Sequence, residues 1–188
     1  STLEERQTLS VGDRQFQIDE ARTGISAHLR DGALTYYVKI RTQPLLVGPE
    51  EWEPYLYAES LRLPELPPDL SMWSVRCQDG TAEFGSGLYV WEHAPTWDDQ
   101  LRLHRSDDAG CQIRWDCTSR TGVNSKRSCS VRAEGRLPFR QVFVRATSLA
   151  EARDLAARHF PLDLLAEAQA SPGLHVFNWI PGPGPTLP

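Results

Sequence analysis

Residues 25–38 constrain the fold more than any other part of the chain, because they have one self-consistent structure as a β-hairpin. Asp31-Gly32 lies between two alternating segments, and this dipeptide is the strongest short-range signal for a two-residue hairpin turn. Closing the turn there gives cross-strand pairs that agree on which face is apolar: Leu29 with Leu34, Ala27 with Tyr36, Ile25 with Val38, His28 with Thr35, and Ser26 with Tyr37. A slip of one residue would move every apolar side chain to the other face. The segment therefore predicts antiparallel sheet.

Alternating apolar and polar residues predict further strands along the chain. A second hairpin is expected to turn at Gly12-Asp13 and to pair Leu9 with Phe16. The other alternating segments are residues 73–77, 88–92, 100–104, 111–118, 129–134 and 139–146. Residues 86–146 thus predict a meander of about five strands, since neighbours in sequence are usually neighbours in space. Residues 135–138 are expected to form the last turn of this meander.

Residues 44–70 are punctuated by prolines and allow two interpretations. Pro49 or Pro54 suits the first turn of a helix, and Glu50 and Glu51 would interact favourably with its N-terminal dipole. We expect a helix here, with a strand as the alternative.

The last fifth of the chain changes to a helical period. Ser148 and Glu151 match a capping box, and an apolar stripe follows, so a helical region is expected over about residues 148–169. Residues 171–173 break this pattern, and residues 174–180 predict a final short strand. The proline- and glycine-rich residues 181–188 predict a disordered tail.

These elements define an expected fold class. A length of 188 residues suits one domain, which we place over residues 1–180. The class is α+β: a mainly antiparallel sheet, meandering and curled or barrel-like, with one C-terminal helical region packed on it.

Charge and composition narrow the classes of partner. The net charge of −5 disfavours nucleic acid, which binds basic surfaces. No segment approaches the roughly 20 apolar residues that span a bilayer, and the first residues lack the apolar core of a signal peptide, which favours the cytoplasm. Lys39 and Lys126 are the only lysines beside abundant arginine, a bias typical of GC-rich bacterial genomes.

The cysteines leave alternatives open. Extending the hairpin that closes at residues 119–128 places Cys117 opposite Cys129, close enough for a disulfide. The same register sets Arg114 opposite Arg132, which is unfavourable. Buried core thiols are the favoured alternative. Neither C-x-x-C nor H-x₃-H spacing is present, so no metal site is expected.

No segment carries a recognisable catalytic motif. Residues 85–87 lack the G-x-S-x-G elbow, and no glycine-rich phosphate loop is present. We therefore expect no catalytic residue and no cofactor.

Tryptophans near strand ends, next to acidic residues, have the composition of a protein-binding patch. The candidates for partner binding are Trp52, Trp97, Asp98, Asp99, Asp107 and Asp108. A more ordinary interpretation makes the tryptophans packed residues and the aspartates solvated turn residues. Arg120, Lys126 and Arg127 form a locally basic loop that could contact an acidic partner, or could simply be a solvated hairpin tip.

Three functions remain as hypotheses. The first is a non-enzymatic domain that binds another protein, of the immunity or inhibitor type. The second is a carrier of an apolar small molecule, held in a barrel-like sheet lined by Tyr36, Trp73 and Trp115. The third is an enzyme whose site assembles from dispersed residues, with His28 or His104 beside a carboxylate.

Overall fold

Strands dominate the computed structural model, which describes residues 6–62, 85–107, 109–121 and 126–186. The strands are β1 (Thr8–Val11), β2 (Arg14–Gln17), β3 (Gly24–Arg30), β4 (Ala33–Arg41), β5 (Leu45–Val47), β6 (Glu50–Trp52), β7 (Tyr55–Leu61), β8 (Ser86–Tyr89), β9 (His93–Pro95), β10 (Trp97–Asp107), β11 (Gly110–Ser119), β12 (Cys129–Arg145), β13 (Leu165–Ser171) and β14 (Leu174–Trp179). The helix α1 (Leu149–Ala157) and short 3-10 turns at Glu20–Arg22 and Leu162–Leu164 complete the elements. Strand accounts for 62% of the described residues, which confirms the α+β class with a largely antiparallel sheet.

The hairpin of β3 and β4 forms in the expected register, including Leu29 opposite Leu34 and Ile25 opposite Val38. Asp31 and Gly32 both have positive φ, 52° and 75°, as the favoured two-residue hairpin turn requires. The hairpin of β1 and β2 also forms as expected, with Leu9 opposite Phe16.

Strand β12 is the longest element and belongs to both halves of the structure. Its first half pairs with β11 on one side and with β1 on the other. Its second half pairs with β14 antiparallel and with β3 parallel. One continuous strand therefore joins the small group of strands around β11 to the larger group around β3 and β4.

The turn expected at residues 135–138 is wrong, because β12 runs straight through them. Gly135 instead makes room for Gln7: a Cβ on Gly135 would lie 2.5 Å from the Gln7 Oε1. That oxygen accepts a hydrogen bond from the backbone N–H of Arg136 at 3.1 Å. Pro138 lacks an N–H, but Phe139 donates to the Ala109 carbonyl at 2.8 Å, so the ladder continues past the proline.

The register of β11 against β12 differs from the expected one by two residues. Asp116 lies opposite Arg132, and Arg114 lies opposite Glu134. The expected register would have opposed two arginines, whereas the observed one opposes unlike charges, which is the favourable arrangement. Because the shift is even, each side chain keeps its predicted face.

The same shift separates Cys117 from Cys129, so the disulfide that was the lesser alternative does not form. Cys117 lies opposite Val131, and Cys129 lies opposite Ser119. Among the described cysteines, Cys111, Cys117 and Cys129 are all free thiols. Burial and the neighbouring Asp99 raise the pKa of Cys117, so this thiol stays protonated at neutral pH.

The sheet follows the order β10-β11-β12-β3-β4-β7-β8-β9, and its described strands do not close into a barrel. The expected meander is thus correct for β10, β11 and β12. The strand expected at residues 88–92 ends at Tyr89, and the unexpected strand β9 pairs with β8. The described β9 and β10 do not pair. They lie at opposite ends of the order, although only Thr96 separates them in the chain. The sheet must therefore curl until its two ends approach each other.

Residues 45–47, 50–52 and 55–61 form strands, so the expected helix is wrong and the alternative of a strand is correct for them. Leu56 and Ala58 are buried, while Tyr55 and Tyr57 are only half-buried, which is the period of a strand. The strand expected at residues 73–77 lies outside the described residues.

Helix α1 begins as the capping box predicts but ends early. Ser148 Oγ accepts a hydrogen bond from the Glu151 N–H at 3.1 Å, and the Glu151 carboxylate accepts one from the Thr147 N–H at 2.7 Å. Residues 165–169 were expected to be helical but belong to β13, because they pair with β14. No helix in the described ranges has the length and apolar character to span a bilayer.

Asp99 is buried at the corner between β9 and β10 and is 3% exposed, so the expectation of a solvated turn residue is wrong. Its carboxylate accepts a hydrogen bond from Trp115 Nε1 at 2.8 Å and another from Thr96 Oγ1 at 2.9 Å. Thr96 Oγ1 also lies 2.5 Å from Ser86 Oγ on β8. Asp99 therefore ties the ends of the sheet together.

Arg140 on β12 is also buried, at 3% exposed, and its guanidinium binds backbone carbonyls. Its guanidinium donates to the carbonyls of Thr23, Glu20 and Gly184, with the closest contact at 2.6 Å. A Cβ on Gly24 would lie 2.5 Å from the Arg140 Cγ, so a glycine makes this approach possible. Burial lowers the pKa of Arg140.

The contact with Gly184 concerns residues expected to form a disordered tail. Residues 181–186 turn back towards β12, where the Gly184 carbonyl accepts from Arg140 at 3.2 Å.

Replacing Arg140 by methionine should lower the free energy of unfolding by about 2–4 kcal/mol, because buried carbonyls lose their donor. Urea denaturation followed by circular dichroism measures the change. Arg145→Met, an exposed arginine on the same strand, is the matched control and should change stability by less than about 0.5 kcal/mol. Equal effects of the two substitutions would contradict the role given to Arg140.

Asp99→Ala should lower the free energy of unfolding by about 1–3 kcal/mol, because the indole N–H of Trp115 is left buried without an acceptor. Asp99→Asn keeps a carbonyl oxygen and should cost less. Thermal unfolding of both variants, read through tryptophan fluorescence, tests this order. An alanine variant as stable as the asparagine variant would show that the hydrogen bond matters little.

Candidate functional site

The acidic and tryptophan residues predicted to bind a partner do not form one surface. Trp97 is half-buried at the start of β10, and the Arg120 guanidinium lies 5.6 Å from its ring centroid. Asp98 is exposed with φ 53°, while Asp107 lies at the far end of the same strand. Nine strand steps separate these two aspartates by about 30 Å. Asp99 is buried, and Asp108 lies outside the described residues.

Trp52 lies in a different cluster, around β6. Its ring stacks on Phe16 at 6.4 Å and meets Trp91 edge-on at 6.5 Å. The Arg14 guanidinium lies 5.5 Å from the Trp52 ring centroid. Trp91 is 50% exposed, so this tryptophan pair presents apolar surface to solvent.

The basic loop is described only at its ends. Lys126 and Arg127 are exposed, and Arg120 contacts Trp97 as above. Within the described ranges, no group of three or more His, Cys, Asp or Glu residues is arranged to hold a metal ion.

The outer face of β4, β7, β8 and β9 carries a row of cross-strand neighbours that sequence reasoning missed. The row runs through Arg41, Tyr55, Tyr89 and His93 in direct register. The Arg41 guanidinium lies 4.2 Å from the Tyr55 ring centroid, and Tyr55 stacks on Tyr89 at 5.0 Å with planes 22° apart. Tyr89 and His93 are 4.9 Å apart. Each ring is thus held by a neighbour on the next strand.

Tyr57, two residues after Tyr55 on β7, also lies on the outer face, and its ring crosses Gly87 of β8. A Cβ on Gly87 would fall 2.5 Å from the Tyr57 Cζ, so only glycine leaves room for the ring. The Tyr57 hydroxyl reaches His93 Nδ1 at 2.9 Å. Burial and the nearby Glu59 carboxylate raise the pKa of Tyr57, so its hydroxyl stays protonated at neutral pH.

We name these two clusters of rings together the aromatic patch. Its members are Trp52, Tyr55, Tyr57, Tyr89, Trp91 and His93. The two clusters are adjacent along the chain, because Trp91 lies between β8 and β9, two residues from Tyr89 and two from His93. The cations at its border are Arg14, Lys39 and Arg41. Desolvation lowers the pKa of Lys39, as do the nearby charges of Arg41 and Arg22.

The tyrosines of the aromatic patch are exposed because buried and half-buried residues alternate along the first half of β7. Leu56 and Ala58 point into the core and anchor the strand, which leaves Tyr55 and Tyr57 on the outer face. Such a surface offers rigid apolar area together with hydroxyl and guanidinium donors, the composition enriched in protein interfaces.

Of the patch, sequence reasoning selected only Trp52. The spacing of Tyr55 and Tyr57 is a usable signal, because two tyrosines on the polar face of a strand need an explanation. Because a helix was expected over these residues, the two tyrosines were not placed on one strand face. The pairing of β7 with β8, and of β8 with β9, was therefore not anticipated.

The core offers little space for a ligand. The cavity lined by Tyr36, Ile25 and Phe160 has a volume of about 20 Å³, room for roughly one water molecule. Trp115 is fully buried and bonded to Asp99. Trp73 lies outside the described residues.

Comparison with known proteins identifies no relative: no protein-family model, no curated protein and no solved structure matches this chain.

Proposed function

We propose that this chain is a non-enzymatic domain that binds another protein through the aromatic patch. The observation that carries the proposal is the row of rings across β7, β8 and β9, held in place while remaining accessible. Tyrosine, tryptophan and arginine are the residues that dominate binding energy in protein interfaces. Blocking a partner, as an immunity or inhibitor protein does, needs no chemistry beyond such a surface.

The rigidity of the aromatic patch favours tight binding. Tyr55 is held between Arg41 and Tyr89, and Tyr57 is held by its hydrogen bond to His93. Side chains that are already ordered lose less entropy when a partner covers them.

The charges around the aromatic patch indicate what the partner should carry. Arg14, Lys39 and Arg41 border the patch, although the chain as a whole has a net charge of −5. We infer an apolar partner surface with carboxylates at its edge, which would meet these cations and offset the repulsion between Lys39 and Arg41.

The alternative of an apolar-ligand carrier receives no comparable support. A barrel-like carrier needs an enclosed cavity of roughly 300–1,000 Å³ inside the sheet, far above the 20 Å³ beside Tyr36 in the described core.

Binding should depend on Tyr89 and Trp91. With this chain as bait in a lysate of the source organism, we expect one stoichiometric protein to be retained by the native sequence and lost by Tyr89→Ala and by Trp91→Ala. Surface plasmon resonance with the purified partner should show each substitution weakening binding by about 30-fold, which corresponds to about 2 kcal/mol.

Asp98→Lys is the control, since Asp98 is exposed and lies in the region first predicted to bind. This variant should retain the partner. Loss of the partner in Asp98→Lys with retention in both patch variants would move the binding surface to the start of β10. Thermal unfolding of each variant separates lost binding from lost folding.

A further inference from the structure

A concave region lies on the outer sheet face that carries Tyr55 and Tyr57, on the side of Glu59 away from His93. It is a cleft of about 410 Å³, within the range of small-molecule sites. The residues around it are His28, Leu29, Arg30, Thr35, Glu59, Ser60, Phe143, Arg145 and Leu174. The cleft forms where β3 and β12 run parallel, at the carboxyl ends of both strands.

Two arginines lie on adjacent strands at this end of the cleft. Val144 pairs with Leu29, so Arg145 and Arg30 follow them on adjacent strands, and both line the cleft. Arg145 makes no ion pair with the residues that the structure describes. Arg30 has only Asp31, at 3.5 Å, and both of these side chains are largely exposed. Two neighbouring like charges repel each other, and an anion between them would reverse that cost.

The floor of the cleft is apolar and aromatic. His28 and Phe143 stack at 4.7 Å with their planes 11° apart, and Leu174 adds an aliphatic wall. Burial lowers the pKa of His28, so its imidazole is neutral at pH 7 and supplies one N–H donor and one acceptor. Glu59 lies at the border of the cleft and disfavours a second negative charge on a ligand.

We propose that this cleft binds a small organic monocarboxylate with an apolar body. The carboxylate lies between Arg30 and Arg145, whose planar guanidinium groups match its geometry. The apolar body covers Phe143 and Leu174. This site is separate from the aromatic patch, so its ligand binds whether or not a partner protein is present.

Benzoate and octanoate are suitable probes, with benzyl alcohol as the neutral analogue of benzoate and inorganic phosphate as the anion without an apolar body. Isothermal titration at low salt should show saturable binding of a carboxylate probe and none of benzyl alcohol or phosphate. Arg145→Gln and Arg30→Gln should each weaken binding about tenfold. Benzoate should also shift the ring resonances of His28 and Phe143 in NMR spectra.

Matched controls keep the test specific. Arg102→Gln changes an exposed arginine on β10, in the other group of strands, and should leave carboxylate binding unchanged. Tyr89→Ala, in the aromatic patch, should also leave it unchanged, which separates this proposal from the proposed protein binding. Three results would overturn the proposal: no binding of either carboxylate, binding unaffected by both cleft substitutions, or phosphate binding as tight as that of benzoate.

Discussion

The pairing of β12 on both sides is the constraint on which the rest of the structure depends. Its first half places β11 and β1, and its second half places β3 and β14. This 17-residue strand has partners on both sides at residues 131–134 and 142–144, so its neighbours have little freedom to slip. Arg140 secures the middle of this strand by bonding carbonyls from distant parts of the chain.

Both candidate binding regions follow from how strands meet around this centre. The aromatic patch requires the register that places Tyr55 beside Tyr89. The cleft requires the parallel pairing that brings Arg145 next to Arg30, which no hairpin could produce. The burial of core residues fixes the register of each strand. A shift of one residue would turn the exposed side chains that are proposed to bind towards the core.

The sequence predicted local pairing well and distant pairing poorly. The hairpin at Asp31-Gly32 was predictable because turn chemistry and alternation agree within a few residues. The β11 register was predictable in principle, since opposing Asp116 to Arg132 removes a clash between arginines. The parallel contact of β3 with β12 joins segments far apart in the chain, and no local pattern encodes it. The tyrosines were missed for a related reason: prolines favoured a helix, and pairing with distant strands overrode that preference.

The placement of Thr96 has a consequence for how the chain folds. A single residue links the two ends of the sheet order, so β9 and β10 reach their final positions only when the strands between them are assembled. Phe139 and Ile25, which pair across the parallel contact, are separated by more than half of the chain. Closing so large a loop costs conformational entropy before the contacts between the two strands contribute any stabilising free energy. Hairpins such as β3–β4 can form early, while completion of the sheet is a slow and cooperative final step.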